Sequence, residues 1–371
     1  MEGSDDTCRQ VRSAAAVAAC GYWQRRGMDT RPEQVVAAPS APLLLLAVLA
    51  ATGSGTVLTP RPGEGWYTRS ARLLGRRTQT VPVPAECGGV PDPVALRETV
   101  RRERTAGHEP RVLLLSVADD CTGTAVPPEL LHEVIEAAGD ERLLIVSDET
   151  WRDTTHAPHS TVIVSPAEMV HGGRETDAVV VLAGLGETLL PQGAPGAGIG
   201  RFPHSGRGRG LAESVREVLK VLRTGLSGPH DAAVADALTE PESLRSARAA
   251  TARAHGTLLT GLHRAVTAAG ALCRPPRVGR HVYADFEPLR PRLDARRVRD
   301  SPALEAHLAG TLGPYVCGGH RLGDDPEALR VRLSGGLLTG PEQPGPAASP
   351  GGSRVLDSVE TALAELTALR E

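Results

Sequence analysis

The hydrophobic positions of the first 210 residues alternate between short continuous runs and longer segments with helical spacing. The runs 111–117 (RVLLLSV), 142–147 (RLLIVS) and 177–183 (DAVVVLA) show no polar alternation, which is typical of parallel strands buried on both faces. Strands that alternate with helices predict right-handed crossovers and a mostly parallel sheet. We therefore expect functional side chains just after the apolar runs, beyond the carboxyl ends of the strands.

Shorter apolar runs and segments of helical spacing complete this part of the chain. Strands are predicted at residues 34–38, 56–59 and 79–83, and helices at residues 42–51, 66–74, 93–104 and 127–138. The segment 193–210 contains seven glycines and is predicted as a loop.

Beyond residue 210 the pattern changes to helices rich in alanine, leucine and arginine, with two isolated strands. Helices are predicted at residues 211–222, 231–238, 243–269 and 354–370, and strands at residues 282–286 and 329–333. The Pro-, Gly- and Ser-rich segment 342–353 is predicted as a mobile loop. These patterns predict a large domain over residues 1–222 and a smaller α+β domain over residues 223–371.

The composition excludes several classes of protein. The 371 residues carry a formal net charge of −3, without the basic excess of a nucleic-acid-binding protein. No apolar run reaches the roughly 18 residues that a membrane span requires. The N-terminus shows no signal-peptide pattern, so a cytoplasmic location and no membrane partner are expected. The cysteines and histidines show no metal-ligand spacing, so no metal is expected.

Lysine is almost absent from the sequence. Of the 41 basic residues only Lys220 is a lysine. Because arginine is so abundant, most arginines are expected to be solvated surface residues. A lysine with a chemical role could stand at one position only.

Two polar motifs follow consecutive buried strands. Residues 120–124 (DCTGT) come after the first buried run, and residues 146–151 (VSDETW) end the next one. Their order, with a helix between them, resembles the class I/II aminotransferases of the pyridoxal-phosphate-dependent fold type I, in which these motifs read roughly Asn-Pro-Thr-Gly-Thr and Ser-Asp-Glu-x-Tyr. The resemblance continues at residues 22–36, 282–289 and 328–334 and covers nearly the whole chain.

This resemblance implies an α/β fold with a seven-stranded, mostly parallel large-domain sheet, helices on both faces, and a smaller α+β C-terminal domain. In the family a lysine binds the cofactor aldehyde, an Asp pairs with the pyridinium nitrogen, an Asn and a Tyr contact the ring oxygen, and an aromatic ring stacks on the cofactor. An Arg and hydroxyls hold the phosphate, and a second Arg holds the substrate carboxylate. Relatives pair as dimers with active sites at the subunit interface.

Transferred position by position, the lysine and the phosphate arginine of the family are missing. The motif Ser-x-Ser-Lys corresponds to residues 184–187 (GLGE), which puts Glu187 at the lysine position. The segment with the phosphate arginine corresponds to residues 194–198 (APGAG), which puts Gly196 at that arginine. Lys220 lies further along a predicted helix and is not expected to replace the lost lysine.

The positions around the cofactor ring are largely changed. Asp120 stands in place of the Asn, and Trp151 stands in place of the Tyr. Glu64 falls at the stacking aromatic position, although Trp66 or Tyr67 could take that place after a small loop shift. The resemblance therefore implies a ring environment that is more acidic than that of the family.

Three positions keep a residue that suits the family's chemistry. Ser40 offers the one hydroxyl of the phosphate turn, Asp148 matches the pyridinium partner, and Arg332 matches the arginine for the substrate carboxylate. The chain also begins late relative to the family, so a truncated N-terminal arm is expected.

These changes predict loss of the cofactor and of conventional transamination. A carboxylate at position 187 inverts the charge at the reacting centre, and a lost arginine–phosphate contact costs about 1.5–3 kcal/mol. Asp120, Asp148 and Glu187 are instead expected to converge as catalytic or cation-binding acids, with the pKa of one of them raised. The alternative is an eroded pocket in which these acids meet water or surface arginines.

Three functions stay open at this point. The chain could be a non-catalytic partner in a homodimer or heterodimer with an aminotransferase-like chain, or could bind a small amine or biosynthetic intermediate. It could be a repurposed enzyme of secondary metabolism that uses Asp120, Asp148 and Glu187 without the cofactor. It could also be a residual aminotransferase that depends on pyridoxal or pyridoxamine phosphate.

Overall fold

The computed structural model of the protein describes residues 13–83, 89–170, 178–191, 193–336 and 350–367. Its α-helices are α1 (Ala14–Gln24), α2 (Ala41–Ala51), α3 (Gly65–Leu73), α4 (Pro93–Thr105), α5 (Pro128–Asp140), α6 (Pro166–Met169), α7 (Gly206–Val221), α8 (Gly228–Leu238), α9 (Glu242–Ala268), α10 (Arg290–Ala295), α11 (Ser301–Leu312) and α12 (Pro350–Thr367). Its strands are β1 (Val35–Ala38), β2 (Thr56–Arg61), β3 (Thr78–Pro82), β4 (Pro110–Ser116), β5 (Ala118–Asp119), β6 (Thr124–Ala125), β7 (Leu144–Asp148), β8 (Val179–Gly184), β9 (Gly198–Arg201), β10 (Leu272–Cys273), β11 (His281–Asp285), β12 (Val316–Gly318) and β13 (Arg330–Ser334).

The large sheet has the strand order β1-β9-β8-β7-β4-β2-β3. Strand β9 runs antiparallel to both of its neighbours, and every other pairing in this sheet is parallel. A second sheet, in the order β10-β11-β13-β12, belongs to the C-terminal part of the chain. The predicted architecture, a mostly parallel seven-stranded sheet with an additional smaller α+β part, is confirmed.

The side chains of the continuous apolar runs pack in two separate cores, one on each face of the large sheet. In β4, Leu113 and Leu115 pack in one core, and Val112 and Leu114 pack in the other. Helices α1, α4, α5 and α8 contribute to the first core, whereas α2, α3 and α7 contribute to the second. Because both faces are covered, β4 has no polar alternation, which is the pattern that its sequence shows.

The C-terminal sheet has a core of its own. Val282 and Ala284 of β11 and Val331 and Leu333 of β13 alternate into it, with helices α9, α11 and α12 on top. The leucines and the valine that predicted the last helix also lie there, with Val359 and Leu363 no more than 1% exposed. This half-buried sheet leaves its other face free to point toward the large sheet.

Two predicted loops contain regular structure. Within 193–210 the chain forms β9 and begins α7, so the prediction of a loop is wrong there. A Cβ at Gly198 would lie 2.5 Å from the Ala41 nitrogen, so this strand needs glycine and carries no strand-like sequence pattern. Helix α12 already begins at Pro350, within the predicted loop 342–353, whose first eight residues lie outside the described part of the chain.

The boundary predicted after residue 222 stays a prediction. Helix α8 lies beyond it, yet Val234 and Leu238 of that helix pack in the first core of the large sheet. The chain therefore continues to support the large sheet for at least one helix beyond the predicted boundary. No helix among the described residues combines the length and the apolarity that a bilayer crossing requires.

Candidate functional site

A cavity of about 480 Å³ opens where the carboxyl ends of the large-sheet strands meet the C-terminal sheet. The N-terminus of α2 and the segments after β4, β7 and β8 form one side, and residues of β11 and β13 form the other. Its polar and aromatic lining residues are Ser40, Glu64, Trp66, Asp120, Asp148, Thr150, Trp151, Glu187, Arg280, His281 and Arg332. The position agrees with the expectation for parallel α/β sheets, in which ligands bind beyond the carboxyl ends of strands.

Asp148 is the last residue of β7 and is only 6% exposed. Its Oδ2 accepts a hydrogen bond from the Tyr67 hydroxyl at 2.8 Å, and its Oδ1 accepts hydrogen bonds from the Thr150 hydroxyl at 2.6 Å and the Thr150 backbone nitrogen at 3.0 Å. Burial raises the pKa of Asp148, although the bonds from Thr150 and Tyr67 oppose the rise. The Thr150 hydroxyl also accepts a hydrogen bond from the Gly184 nitrogen at 2.8 Å, which ties the end of β7 to the end of β8.

Asp120 follows the short strand β5 and is paired with the C-terminal part of the chain. The Arg280 backbone nitrogen donates to its Oδ1 at 2.5 Å, and the His281 Nδ1 lies 3.1 Å from its Oδ2. Burial alone would raise the pKa of Asp120, but His281 and Arg280 outweigh that effect and hold the pKa well below its usual range. Asp120 is therefore ionised across the physiological pH range.

Glu187 lies in the turn after β8 and keeps 60% of its side chain exposed. Its Oε2 lies 2.6 Å from the Arg280 Nη2, and the same guanidinium is 3.5 Å from the Asp120 Oδ2. The Arg280 guanidinium also lies 4.5 Å from the centre of the Trp151 ring, a distance at which cations are attracted to the ring face. Arg280 therefore brings a cation to the Glu187 carboxylate, and the role of Glu187 stays a prediction.

Arg332 of β13 reaches the same cavity from the C-terminal sheet. Its Nη1 lies 3.5 Å from the Oε1 of Glu64, the residue before α3. Burial raises the pKa of Glu64 to about 7, against the opposing charge of Arg332. The carboxyl group of Glu64 therefore carries a proton about half of the time near neutral pH.

The N-terminus of α2 faces the cavity beside three glycines. The Ser40 hydroxyl caps this helix by accepting a hydrogen bond from the Leu43 nitrogen at 3.2 Å. A Cβ at Gly184 would lie 3.4 Å from the Ala41 Cβ, and a Cβ at Gly196 would lie 3.4 Å from the Pro39 carbonyl oxygen. Glycines at these positions leave space at a helix end whose dipole favours anions.

The predicted site residues lie together, with differences in how they face the cavity. Asp120, Asp148, Trp151, Ser40 and Arg332 all line it, and Glu187 lines its outer edge. Tyr67 is 3% exposed and stays behind Asp148, to which it donates its hydroxyl proton. Tyr67 therefore contacts Asp148 from behind and is not among the residues that line the cavity.

Two of the most engaged residues of the site carry no recognisable sequence signal. Arg280 precedes β11, His281 is the first residue of that strand, and both contact Asp120 from the opposite side of the cavity. Arg280 is one of many arginines in the chain, and no motif distinguishes it. Only the antiparallel pairing of β11 with β13, which brings His281 opposite Ser334 and Tyr283 opposite Arg332, reveals that this segment faces the site.

Comparison with protein families places the site in a known context. The model of the family described as aminotransferase class I and II matches residues 12–336. Histidinol-phosphate aminotransferase from Acidovorax ebreus is 30% identical over 108 residues, which is 29% of this chain and 27% of that protein. 1-Aminocyclopropane-1-carboxylate synthase 6 from Oryza sativa is 27% identical over 166 residues, 43% of this chain and 30% of that protein. The matched segments thus span less than a third of these curated relatives.

Solved structures are similar over nearly all of the chain. An aromatic aminotransferase from Pyrococcus horikoshii has a TM-score of 0.77 with 16% identity and covers 95% of this chain and 86% of its own. Aspartate aminotransferase from Thermus thermophilus with maleate has a TM-score of 0.74 with 18% identity and covers 94% and 81%. At these identities the similarity establishes the fold.

The expectation that no cofactor binds is wrong. The family match and the structural neighbours are pyridoxal-phosphate-dependent aminotransferases, so pyridoxal phosphate is the expected cofactor. The prediction gave the lost lysine and arginine more weight than Asp148 and Ser40, the two retained cofactor positions, which both line the cavity.

Proposed function

Because the chain belongs to the aminotransferase class I and II family, we propose that it binds a small amine-bearing molecule in this cavity and does not transaminate amino acids. Amine-bearing molecules of this kind include amino acids and the amine form of the cofactor. The observation that carries the proposal is the ion pair between Glu187, at the family's lysine position, and Arg280.

The absence of a suitable lysine supports the first half of this proposal. Lys220, the only lysine of the sequence, lies in the last turn of α7. Its side chain is 73% exposed, and its Nζ lies 3.6 Å from the Oε1 of Glu217. Lys220 is not among the residues that line the cavity. Covalent attachment of a cofactor aldehyde inside the cavity would require an amine that this chain does not place there.

The charge of the cavity supports the second half. Four acids, Glu64, Asp120, Asp148 and Glu187, line it together with the two arginines Arg280 and Arg332. Asp120 contacts both Arg280 and His281, whereas Glu187 has Arg280 as its one ion-pair partner among the described residues. The exposed carboxylate of Glu187 is therefore the acid that can pair with a further cation. An ammonium group is favoured in such an acidic, partly buried cavity.

The roles of the residues follow from their positions. When bound, the cofactor supplies an electron-poor ring that stabilises negative charge on a substrate carbon. Asp148 would hold the ring nitrogen, with Tyr67 and Thr150 orienting its carboxylate. Ser40 and the N-terminus of α2 would hold the phosphate, and Glu187 would pair with an ammonium group after displacement of Arg280.

The test compares two cofactor analogues that differ only in the amine. Pyridoxamine phosphate carries an aminomethyl group where 4-deoxypyridoxine phosphate carries a methyl group. We expect calorimetry to show tighter binding of pyridoxamine phosphate, by roughly tenfold for one charge-assisted contact. This preference is expected to disappear in Glu187→Gln and to persist in the control Glu217→Gln, which removes an exposed acid beside Lys220.

Two results would contradict the proposal. Turnover of an amino acid to its keto acid by the wild-type chain would show that transamination does not need a lysine at this site. Equal affinity for the two analogues would show that the acids of the cavity do not recognise an amine. In the second case the preparation still reports on cofactor binding, because both analogues carry the phosphate.

A further inference from the structure

A second cleft, with a volume of about 460 Å³, shares no lining residue with the cavity described above. It lies between the C-terminal end of α1, the segment after Trp151 and the first turns of α9. Six arginines line this cleft beside a single acid, Asp153: Arg25, Arg26, Arg152, Arg245, Arg248 and Arg253. We call it the arginine cleft.

Part of this arginine set is structural. Arg26 and Arg152 are only 8% and 10% exposed, and both are engaged by carboxylates. Arg25, Arg26 and Arg248 converge on Glu240, which is 2% exposed. Burial opposes the charge of Glu240, but the three guanidiniums lower its pKa to about 2. The Glu240 carboxylate is therefore ionised at neutral pH and holds the three guanidiniums in place at the base of the cleft.

The remaining arginines stand on one face of α9. Arg245 and Arg253 flank Ala249 and Ala252, whose small side chains leave the space between the arginines open. Arg245 is half exposed and pairs with Glu242, whereas Arg253 makes no ion pair with any residue that the structure describes. The mouth of the cleft therefore offers guanidinium donors that the protein does not saturate.

The balance of charge in the cleft is positive. The carboxylates within 4 Å of the six guanidiniums are those of Asp153, Glu240, Glu149, Glu168 and Glu242. Five carboxylates thus face six guanidiniums, and four of the five acids do not line the open space. A ligand in the cleft would meet mainly cationic groups.

An independent observation marks the same place. Thr161 lines the arginine cleft, and its buried hydroxyl oxygen has no hydrogen-bond partner among the residues that the structure describes. Buried hydroxyl groups in folded proteins are nearly always hydrogen-bonded, and leaving one unpaired costs about 1–3 kcal/mol of folding free energy. A ligand with acceptor oxygens would satisfy this donor.

We propose that the arginine cleft is a binding site for a small polyanion that carries phosphate groups. Guanidinium groups hold phosphate oxygens through paired, parallel hydrogen bonds, which suits several arginines around one compact space. Arg253 and Arg245 bind the anion at the mouth, Arg248 binds it at the base, and Thr161 donates one hydrogen bond to it.

The test uses inorganic pyrophosphate as the probe and calorimetry as the readout. The wild-type chain is expected to bind it saturably with one site in this cleft, and Arg253→Gln is expected to weaken binding by roughly tenfold. Arg253 is exposed and forms no ion pair with a described residue, so the variant should keep its fold, which a melting curve checks. Arg264→Gln is the matched control, since Arg264 is exposed on the same helix but does not line the cleft.

Three outcomes would overturn this inference. The first is the absence of saturable pyrophosphate binding. The second is an equal loss in Arg253→Gln and Arg264→Gln, which indicates general attraction to a basic helix. The third is a loss in Ser40→Ala with none in Arg253→Gln, which assigns the anion to the N-terminus of α2. None of these outcomes bears on amine binding in the other cavity, so the two proposals fail independently.

Discussion

Glu187 and Arg280 form an ion pair in which neither partner provides a nucleophilic amine. We predict that Glu187→Lys, mixed with pyridoxal phosphate, gains a visible absorbance band and a borohydride-stable adduct at residue 187. The Arg280 guanidinium would lower the pKa of the introduced amine and so keep part of it uncharged and reactive. Peptide mass spectrometry locates the adduct, and Glu217→Lys serves as the control. No band in Glu187→Lys would mean that this position does not reach a bound cofactor.

Glu64 gives the site a measurable pH dependence. Its pKa is about 7 in the folded protein and about 4.3 in an unfolded chain, so the folded state holds the proton more tightly. The free energy of unfolding of the wild type, relative to that of Glu64→Gln, is therefore highest below about pH 4. It falls as the pH rises through 7. The change over the whole pH range is at most about 4 kcal/mol. Denaturant unfolding of both proteins at pH 5 and pH 8 measures it, and a constant difference would refute the assignment.

Single residues also show how far sequence reasoning reaches. Asp148 and Arg332 could be picked out because each sits in a family motif, Asp148 at the end of β7 and Arg332 within β13, and both line the cavity. Arg280 could not, because it contacts Asp120 across 160 positions of sequence and lies in no motif. A pairing between two domains leaves no local pattern in either segment. The roles of all these residues stay predictions until the variants are measured.

Among the elements, β9 depends on a close approach of two backbones. Gly198 packs against the start of α2, where a Cβ would lie 2.5 Å from the Ala41 nitrogen and 2.7 Å from the Ser40 carbonyl carbon. We predict that Gly198→Ala lowers the free energy of unfolding by about 1–3 kcal/mol, because backbone atoms cannot move aside as a flexible side chain can.

A second glycine substitution provides the control for this prediction. Gly210 lies in α7, and nothing lies within 4 Å of a Cβ placed there. Gly210→Ala is expected to raise stability by about 0.5–1 kcal/mol through the helix preference of alanine. Chemical denaturation of both variants measures whether each substitution raises or lowers the free energy of unfolding. A loss in Gly210→Ala, or none in Gly198→Ala, would contradict the packing described for β9.

Elements with a strong period were predictable, and β9 was not. The run RVLLLSV predicts β4 because its side chains fill two cores, and the spacing of Val359 and Leu363 predicts α12 because one face of that helix is buried. Strand β9 reads GIGR, in which glycine is required by the neighbouring backbone. A strand that needs glycine because another backbone lies close to it carries no hydrophobic period, so its sequence resembles a loop.

Across the whole molecule, the two sheets meet through charged pairs above the cavity. Asp120 makes the most buried of these contacts, with Arg280 and His281. We predict that Asp120→Asn costs about 2 kcal/mol at neutral pH, because it removes the charge from these hydrogen bonds. Since the pKa of Asp120 is held well below its usual range, the difference from the wild type should shrink on acidification.

Hydrogen exchange distinguishes this effect from a general loss of stability. Amides of β11 are expected to exchange faster in Asp120→Asn, while those of β4 keep their protection, because Asp120 joins the second sheet to the first. Asp140→Asn is the control, since Asp140 is 69% exposed. Uniform acceleration across both sheets would show that Asp120 does not act at their junction.

The assembly of the chain stays a prediction. We expect a dimer, formed either with a second copy, at twice the 38.8 kDa mass of the chain, or with another aminotransferase-like chain. Light scattering of the purified protein measures this mass. A monomer at micromolar concentration would contradict it.

The scarcity of lysine has a practical consequence. Lys220 is the one side chain of the sequence with a primary amine, and it projects from the end of α7 into solvent. An amine-reactive fluorophore at mildly basic pH therefore has one side-chain target, away from both clefts, besides the α-amino group at the start of the chain. Lys220 and all three tryptophans belong to the part of the chain that builds the large sheet, so energy transfer from the tryptophans to a dye on Lys220 reports on that part of the molecule alone.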